Sequence, residues 1–200
     1  MKGTPGSRRH LDAPRAGRRA PVRALVLVGF MGAGKTSVGR ALSTQLGWRF
    51  EDLDDRVQAR EGRTVPEIFR DAGEAEFRRA EHAALRELLA EAENGPPLIL
   101  ALGGGAFIQA ENAALVEGFE TPTVFLDAPP EELWRRCTAD PVARPLRRDQ
   151  REFRDLYDLR KPRYQQAQLC IQTGSRTVGE VVNEILESLS LRGAAPGKER

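Results

Sequence analysis

Residues 29–36 read Gly29-Phe30-Met31-Gly32-Ala33-Gly34-Lys35-Thr36, and this stretch constrains the possible folds of the chain more than any other. It fits the phosphate-loop pattern G-x-x-x-x-G-K-[ST], which has meaning only between a buried strand and a helix. Both neighbours are present. Upstream, Ala24-Leu25-Val26-Leu27-Val28 is a continuous apolar, β-branched run of the kind found in parallel strands covered on both faces. Downstream, Val38, Ala41, Leu42 and Leu46 recur at helical spacing. Glycines let the backbone curl so that successive N–H groups point inward at the positive end of a helix, forming a nest for anions. Gly32, Ala33, Gly34 and Ser37 belong to that cradle. Lys35 is expected to reach the β- and γ-phosphates, and the Thr36 hydroxyl to ligate Mg²⁺. The motif thus predicts binding of a nucleoside triphosphate with its metal. It says little about what receives the phosphate.

Strand and helix signals alternate along the rest of the chain, which predicts an α/β fold with a parallel sheet covered on both faces, a three-layer α/β/α arrangement. Strands are expected at 24–28, 49–52, 98–102, 123–127 and 169–173. Between the second and third strands, helical patterns at 53–60, 64–72 and 74–92 exceed what a simple crossover needs, so 53–92 is a candidate region for holding a second substrate. A further helix is expected near Pro130, and a last one over 178–191. Thr64 with Glu67, and Thr177 with Glu180, have the spacing of capping boxes. The arginine-rich, weakly periodic segment 139–160 reads as a lid over the nucleotide.

A chain of 200 residues suits one domain, here expected over 22–191. The net charge of +2 hides an asymmetry: residues 1–23 carry seven basic side chains and one acid, so the remainder is net acidic. That remainder gives no reason to expect nucleic acid as a partner. Residues 1–21 lack apolar periodicity and are expected to be a disordered basic tail, with 192–200 a second frayed end. No apolar run approaches the roughly 20 residues that span a bilayer, and the N-terminal segment has no secretory apolar region. A cytoplasmic protein without a membrane partner is therefore expected. Cys137 and Cys170 lie far apart without metal-site spacing, and His10 and His82 read as surface residues. A monomer is expected, because no exposed heptad or long apolar stripe occurs.

Three further groups bear on the phosphate acceptor. Asp52 and Asp54 end the second strand, where ligands of open α/β sheets bind. One acid of such a pair can hold Mg²⁺ through water while the other orients an acceptor hydroxyl; alternatively, the pair marks a helix start. On the helix that follows, Glu74 and Arg78 share a face, as do Phe77 and Glu81. Arg78 either forks toward a substrate carboxylate or belongs to a solvated ion-pair surface. Gly103-Gly104-Gly105, directly after a strand, permits close approach of a ligand to bare backbone.

Taken together these segments resemble the shikimate kinases. The loop 29–36, the acids of Phe50-Glu51-Asp52-Leu53-Asp54, the pattern Gly73-Glu74-x-x-Phe77-Arg78-x-x-Glu81, the three glycines, Arg144-Pro145-Leu146 and Arg160-x-Pro162-x-Tyr164 occur in the family's order over about 22–191. The resemblance implies a fold like that of the nucleoside monophosphate kinases, with a five-stranded parallel sheet, a helical substrate region and a lid. It implies shikimate and ATP as substrates and Mg²⁺ as cofactor, with the γ-phosphoryl passing to the 3-hydroxyl. By position it assigns Asp54 to the acceptor hydroxyl and Asp52 to Mg²⁺. It assigns Arg78, Arg160, Gly104 and Gly105 to the shikimate carboxylate, with Glu81 alongside. Arg144, from the lid, is assigned to the transferring phosphoryl, and Arg136 and Arg176 to the flanks of adenine. Phe69 and Phe77 match an apolar wall beneath the substrate ring. The chain departs from the family pattern at Arg147 and Arg148, which make the lid unusually basic, and at Val178, where proline is frequent. A kinase of another polyol acid such as gluconate would not need Asp54, Arg78, Gly104 and Arg160 together. A non-catalytic ligand sensor would be expected to carry a DNA-binding segment that residues 1–21 are too short to supply.

Overall fold

The run Ala24–Val28 is buried along its whole length and forms the central strand, β1. In this computed structural model, which describes residues 22–139 and 149–191, β1 lies between β3 (Leu98–Ala101) and β4 (Thr123–Asp127). The outer strands are β2 (Arg49–Asp52) beside β3 and β5 (Leu169–Gln172) beside β4. All pairings are parallel, and the order is β2-β3-β1-β4-β5. Because β3 and β4 flank β1 on opposite sides, the chain reverses its winding at the carboxyl end of β1, the place where open α/β sheets form a ligand crevice. The phosphate loop leaves β1 at that point.

The helices among the described residues are α1 (Lys35–Leu46), α2 (Leu53–Glu61), α3 (Val65–Asn94), α4 (Ala110–Gly118), α5 (Pro130–Ala139), α6 (Gln150–Tyr164) and α7 (Val178–Ser188). Both expected capping boxes are formed, at Thr64 with Glu67 and at Thr177 with Glu180. The two helices expected over 64–72 and 74–92 are one element bent at Gly73, whose φ of 80° and ψ of 174° lie outside the helical region. That backbone conformation strains any residue bearing a Cβ.

Three elements differ from expectation. A 3₁₀ turn (Ala106–Ile108) and α4 follow the triple glycine; α4 is alanine-rich with a narrow buried face of Asn112 and Val116, so it gives almost no amphipathic signal. The last helix stops at Ser188 rather than at residue 191. Half of what was expected to be lid is helix: residues 150–160 lie in α6, where Phe153 and Tyr157 are buried. Aromatics at 153, 157 and 164, diluted by charge, carry the inward face of α6, with Arg160 on the same stripe. The expected disordered tails 1–21 and 192–200, and the lid residues 140–148, lie outside the described residues.

Candidate active site

The phosphate loop is built by backbone torsion. Gly29, Gly32 and Gly34 have φ of 145°, 80° and 90°. A Cβ on Gly32 would lie 2.7 Å from the Leu133 carbonyl oxygen and 2.9 Å from Cys137 Sγ, so helix α5 presses against the loop from below. Helix α1 starts at Gly34 without a side-chain cap, whereas Asp52 caps α2 and Thr177 caps α7. The amides at the start of α1 are thus available to an anion. Lys35 Nζ folds back over the loop and donates to the carbonyls of Gly29 (2.9 Å) and Phe30 (3.1 Å).

Beside it, Thr36 Oγ1 donates to Asp52 Oδ2 at 3.2 Å, while Asp52 Oδ1 accepts from the Asp54 amide at 3.1 Å. The helix-start reading of this acid is the one observed: one oxygen caps α2, and the other accepts from Thr36 at the loop. Burial pushes the Asp52 carboxyl above its usual range, opposed by the Asp54 amide, Lys35 and Thr36. A hydroxyl and a carboxylate are hard oxygen donors suited to Mg²⁺, and the small number of them suits an ion that takes its other ligands from phosphates and water. No larger group of three acidic, cysteine or histidine ligands exists among the described residues.

Opposite the loop, Asp54, Arg78 and Arg160 converge on the glycine bend that follows β3. The Asp54 carboxylate lies where a Cβ on Gly103 would stand. The Arg78 guanidinium covers Gly105, with Nη2 and Nη1 at 2.8 and 2.9 Å from the position of a Cβ there. Arg160 Nη1 donates to the Gly104 carbonyl at 3.1 Å, and the Tyr164 hydroxyl donates to the same oxygen. The two arginines thus meet at the bend; a Cβ on Gly105 would displace Arg78 and one on Gly103 would displace Asp54, whereas one on Gly104 would make only ordinary contacts. Phe69 and Phe77 stack at 4.6 Å between centroids, with Arg78 over the Phe77 ring at 5.2 Å. Phe77 is buried and Phe69 is 39% exposed, which gives the pair one open face.

Arg78 is held rather than solvated. Its Nη1 donates to Glu81 at 2.9 Å, and its Nη2 to Glu74 at 3.1 Å. Glu81 is only 1% exposed. Burial raises its carboxyl above the ordinary value of 4.5; Arg78 and Arg160 pull it down and Asp54 pushes it up, so all four groups share one electrostatic environment. Removing Arg78 leaves this carboxylate without its main partner and should cost about 1–3 kcal/mol of stability. The deficit should depend on pH. A raised folded pKa means the native state holds the proton longer than the unfolded chain does, so stability falls as pH rises from about 4.5 through the raised value. Arg78→Ala raises that value further. Thermal melts of the variant should approach those of the parent below pH 4.5 and fall well short of them at pH 8; an equal deficit at both would show that Glu81 does not depend on Arg78.

On the far side of the loop, Arg136 ties elements together: its guanidinium donates to the Gly32 carbonyl (3.4 Å), Thr173 Oγ1 (3.2 Å), the Thr173 carbonyl (2.8 Å) and Glu132 (2.7 Å). Arg176 bridges the Gln172 carbonyl at 3.0 Å and Glu184 at 2.5 Å. Arg136 thus lies against the loop, and Arg176 follows the carboxyl end of β5. Arg144 lies outside the described residues. Sequence reasoning missed Tyr164 as a site residue, although it stands in the quoted Arg160-x-Pro162-x-Tyr164 segment. It also missed Asp127, an acid at a strand end like Asp52. His82, expected on the surface, is half-buried; its Nδ1 lies 2.8 Å from Asn112 Oδ1, and Asn112 Nδ2 donates to the Ala106 carbonyl just beyond the glycine bend.

Comparison with known proteins places this geometry. The family model described as shikimate kinase matches residues 31–190. A shikimate kinase from Caulobacter vibrioides is 42% identical over 175 residues, covering 85% of this chain and 84% of the relative. One from Thermus thermophilus is 38% identical over 190 residues, covering 94% and 98%. Among solved structures, the shikimate kinase from Acinetobacter baumannii in complex with shikimate is 35% identical and superposes with a TM-score of 0.76 over 86% of this chain and 96% of that one. With a family model matched over most of its length and relatives this similar along nearly their whole chains, the protein belongs to the shikimate kinase family.

Proposed function

We propose that the chain transfers the γ-phosphoryl of ATP to the 3-hydroxyl of shikimate, with the work divided among the residues described above. The observation that carries this division is the meeting of Arg78, Arg160 and Asp54 at the bend 103–105, opposite an uncapped phosphate loop. Shikimate is a small carboxylate bearing three hydroxyls. It needs cationic forks at one end and an oriented hydroxyl at the other, and this pocket offers both.

In this reading, Arg78 and Arg160 grip the carboxylate, with Gly104 and Gly105 against it, and Phe69 and Phe77 form the wall under the ring. Glu81 acts through Arg78 as its buried counter-charge. Asp54 accepts a hydrogen bond from the 3-hydroxyl and turns its oxygen toward the phosphoryl. It need not be a strong base, because in a loose transition state the hydroxyl becomes acidic late. Lys35 leaves its loop carbonyls for the β- and γ-phosphate oxygens and stabilises charge as it shifts toward the leaving group. Ser37 and the loop amides of 32–36 cradle the phosphates, while Arg136 and Arg176 flank the adenine. Thr36 and Asp52 would hold Mg²⁺, which when bound supplies further charge neutralisation at the phosphates. Arg144 approaches the transferring group from the lid segment, excluding water with it.

The test is ADP release, coupled to a spectroscopic readout, across shikimate, quinate, gluconate and nucleoside monophosphates. Turnover confined to shikimate is expected. Faster turnover on gluconate or a nucleotide would overturn the assignment of the clamp.

A further inference from the structure

Helix α6 presents Arg160 to the glycine bend, and its backbone lacks one hydrogen bond close to that residue. Pro162 stands inside the helix, two residues after Arg160, and its ring removes the amide that would bond back toward residue 158. The direction of Arg160 therefore depends on side-chain anchors around it. Tyr164, through the Gly104 carbonyl, is one. A second lies on the neighbouring strand. Asp127, at the carboxyl end of β4, is 5% exposed, and its carboxylate accepts from the Tyr157 hydroxyl (2.7 Å) and from Gln172 Nε2 (3.2 Å). Lys161 Nζ pairs with the same carboxylate at 3.3 Å and donates to the Tyr157 hydroxyl at 2.9 Å. The result is a closed triangle that fixes two successive turns of α6 to the sheet.

We propose that Asp127 and Lys161 are positioning residues for the acceptor clamp: their triangle with Tyr157 sets the rotation and tilt of the last turns of α6, and so the reach of Arg160 toward the substrate carboxylate. This deepens the proposed function and rests on the role assigned there to Arg160.

The chemistry of the triangle favours orientation over stability. An ion pair drawn from water returns little net stability compared with apolar packing, and Lys161 remains about a third exposed, which screens it further. What the triangle does supply is direction. Three groups on two elements satisfy one another in a single geometry, and Tyr157 and Arg160 both touch the ring of Phe30 in the phosphate loop, at 5.7 and 5.9 Å. The Asp127 carbonyl also accepts from the amide (2.6 Å) and hydroxyl (3.0 Å) of Thr173, the residue that holds Arg136. The Asp127 side chain therefore anchors the acceptor-side helix, while its backbone carbonyl, which a side-chain substitution leaves in place, serves Thr173 and through it Arg136. Loosening Lys161 should be felt mainly by the acceptor.

The experiment measures KM for shikimate and for ATP, kcat, and the melting temperature in Lys161→Met, Asp127→Asn and Arg160→Ala. Arg154→Gln serves as a control, since it breaks an exposed pair between α6 and Glu131 without touching the triangle. Lys161→Met and Asp127→Asn should each raise KM for shikimate about ten-fold, short of the roughly 100-fold that a 1 Å misplacement can cause. KM for ATP should stay within about two-fold, and Lys161→Arg, which keeps the charge, should recover part of the loss. Arg154→Gln should change neither constant. The proposal fails if both triangle variants keep the parental KM for shikimate while Arg160→Ala raises it. It also fails if both KM values rise together as the melting temperature drops, the mark of a purely structural role. An unchanged KM in Arg160→Ala would overturn the clamp reading itself, and this inference with it.

Discussion

Asp54→Asn should lower kcat for shikimate by about 10²–10⁴-fold, the range associated with losing a positioned proton acceptor. The substitution keeps the shape of the side chain, so the contact with Gly103 and the amide bond to Asp52 can both persist. What changes is that one carboxylate oxygen becomes an amide that donates, where the acceptor hydroxyl needs a partner that accepts. The melting temperature should stay near that of the parent, and KM for ATP should change little. Turnover within about three-fold of the parent would remove Asp54 from the mechanism, because a residue orienting the attacking oxygen cannot be neutralised so cheaply.

Lys35→Met should cost about 10²–10³-fold in kcat/KM for ATP, comparable to losing one preorganised donor aimed at developing charge. Methionine fills most of the lysine volume but removes the Lys35 donor from the Gly29 carbonyl, while the Phe30 carbonyl keeps the Ala33 amide. Leaving the buried Gly29 carbonyl short of a donor should cost about 1 kcal/mol of stability, or about 2–4 °C in melting temperature for a chain of this size. KM for shikimate should move far less than kcat/KM for ATP. Equal losses for both substrates would mean that Lys35 holds the loop in shape rather than meeting the phosphates.

These two residues were legible in the sequence because their chemistry is local. Lys35 and Thr36 belong to a fixed spacing, and Asp52 ends β2 at an edge whose direction follows from the fold class, whereas Asp54, expected on the same strand, stands in the first turn of α2. Capping boxes at Thr64 and Thr177 were readable for the same reason, since both partners sit within one turn. Helix α6 was not readable, because its buried face consists of widely spaced aromatics among charged residues, and its packing partner Phe30 lies more than a hundred positions away. The triangle of Asp127, Tyr157 and Lys161 was hidden in the same manner: each residue is unremarkable until the sheet order brings β4 beneath α6. Asn112 and His82 show a second kind of invisibility, where a polar pair is drawn inward and satisfies one carbonyl behind the glycine bend.

The bend at Gly73 makes the longest helix two rods joined at one residue, and the paired rings belong to different rods: Phe69 precedes the joint and Phe77 follows it. The separation of those rings follows from two torsion angles at a residue where an added Cβ would meet open space. In the proposed reading, the angle between the rods therefore sets the width of the wall beneath the acceptor without an exchange of either aromatic.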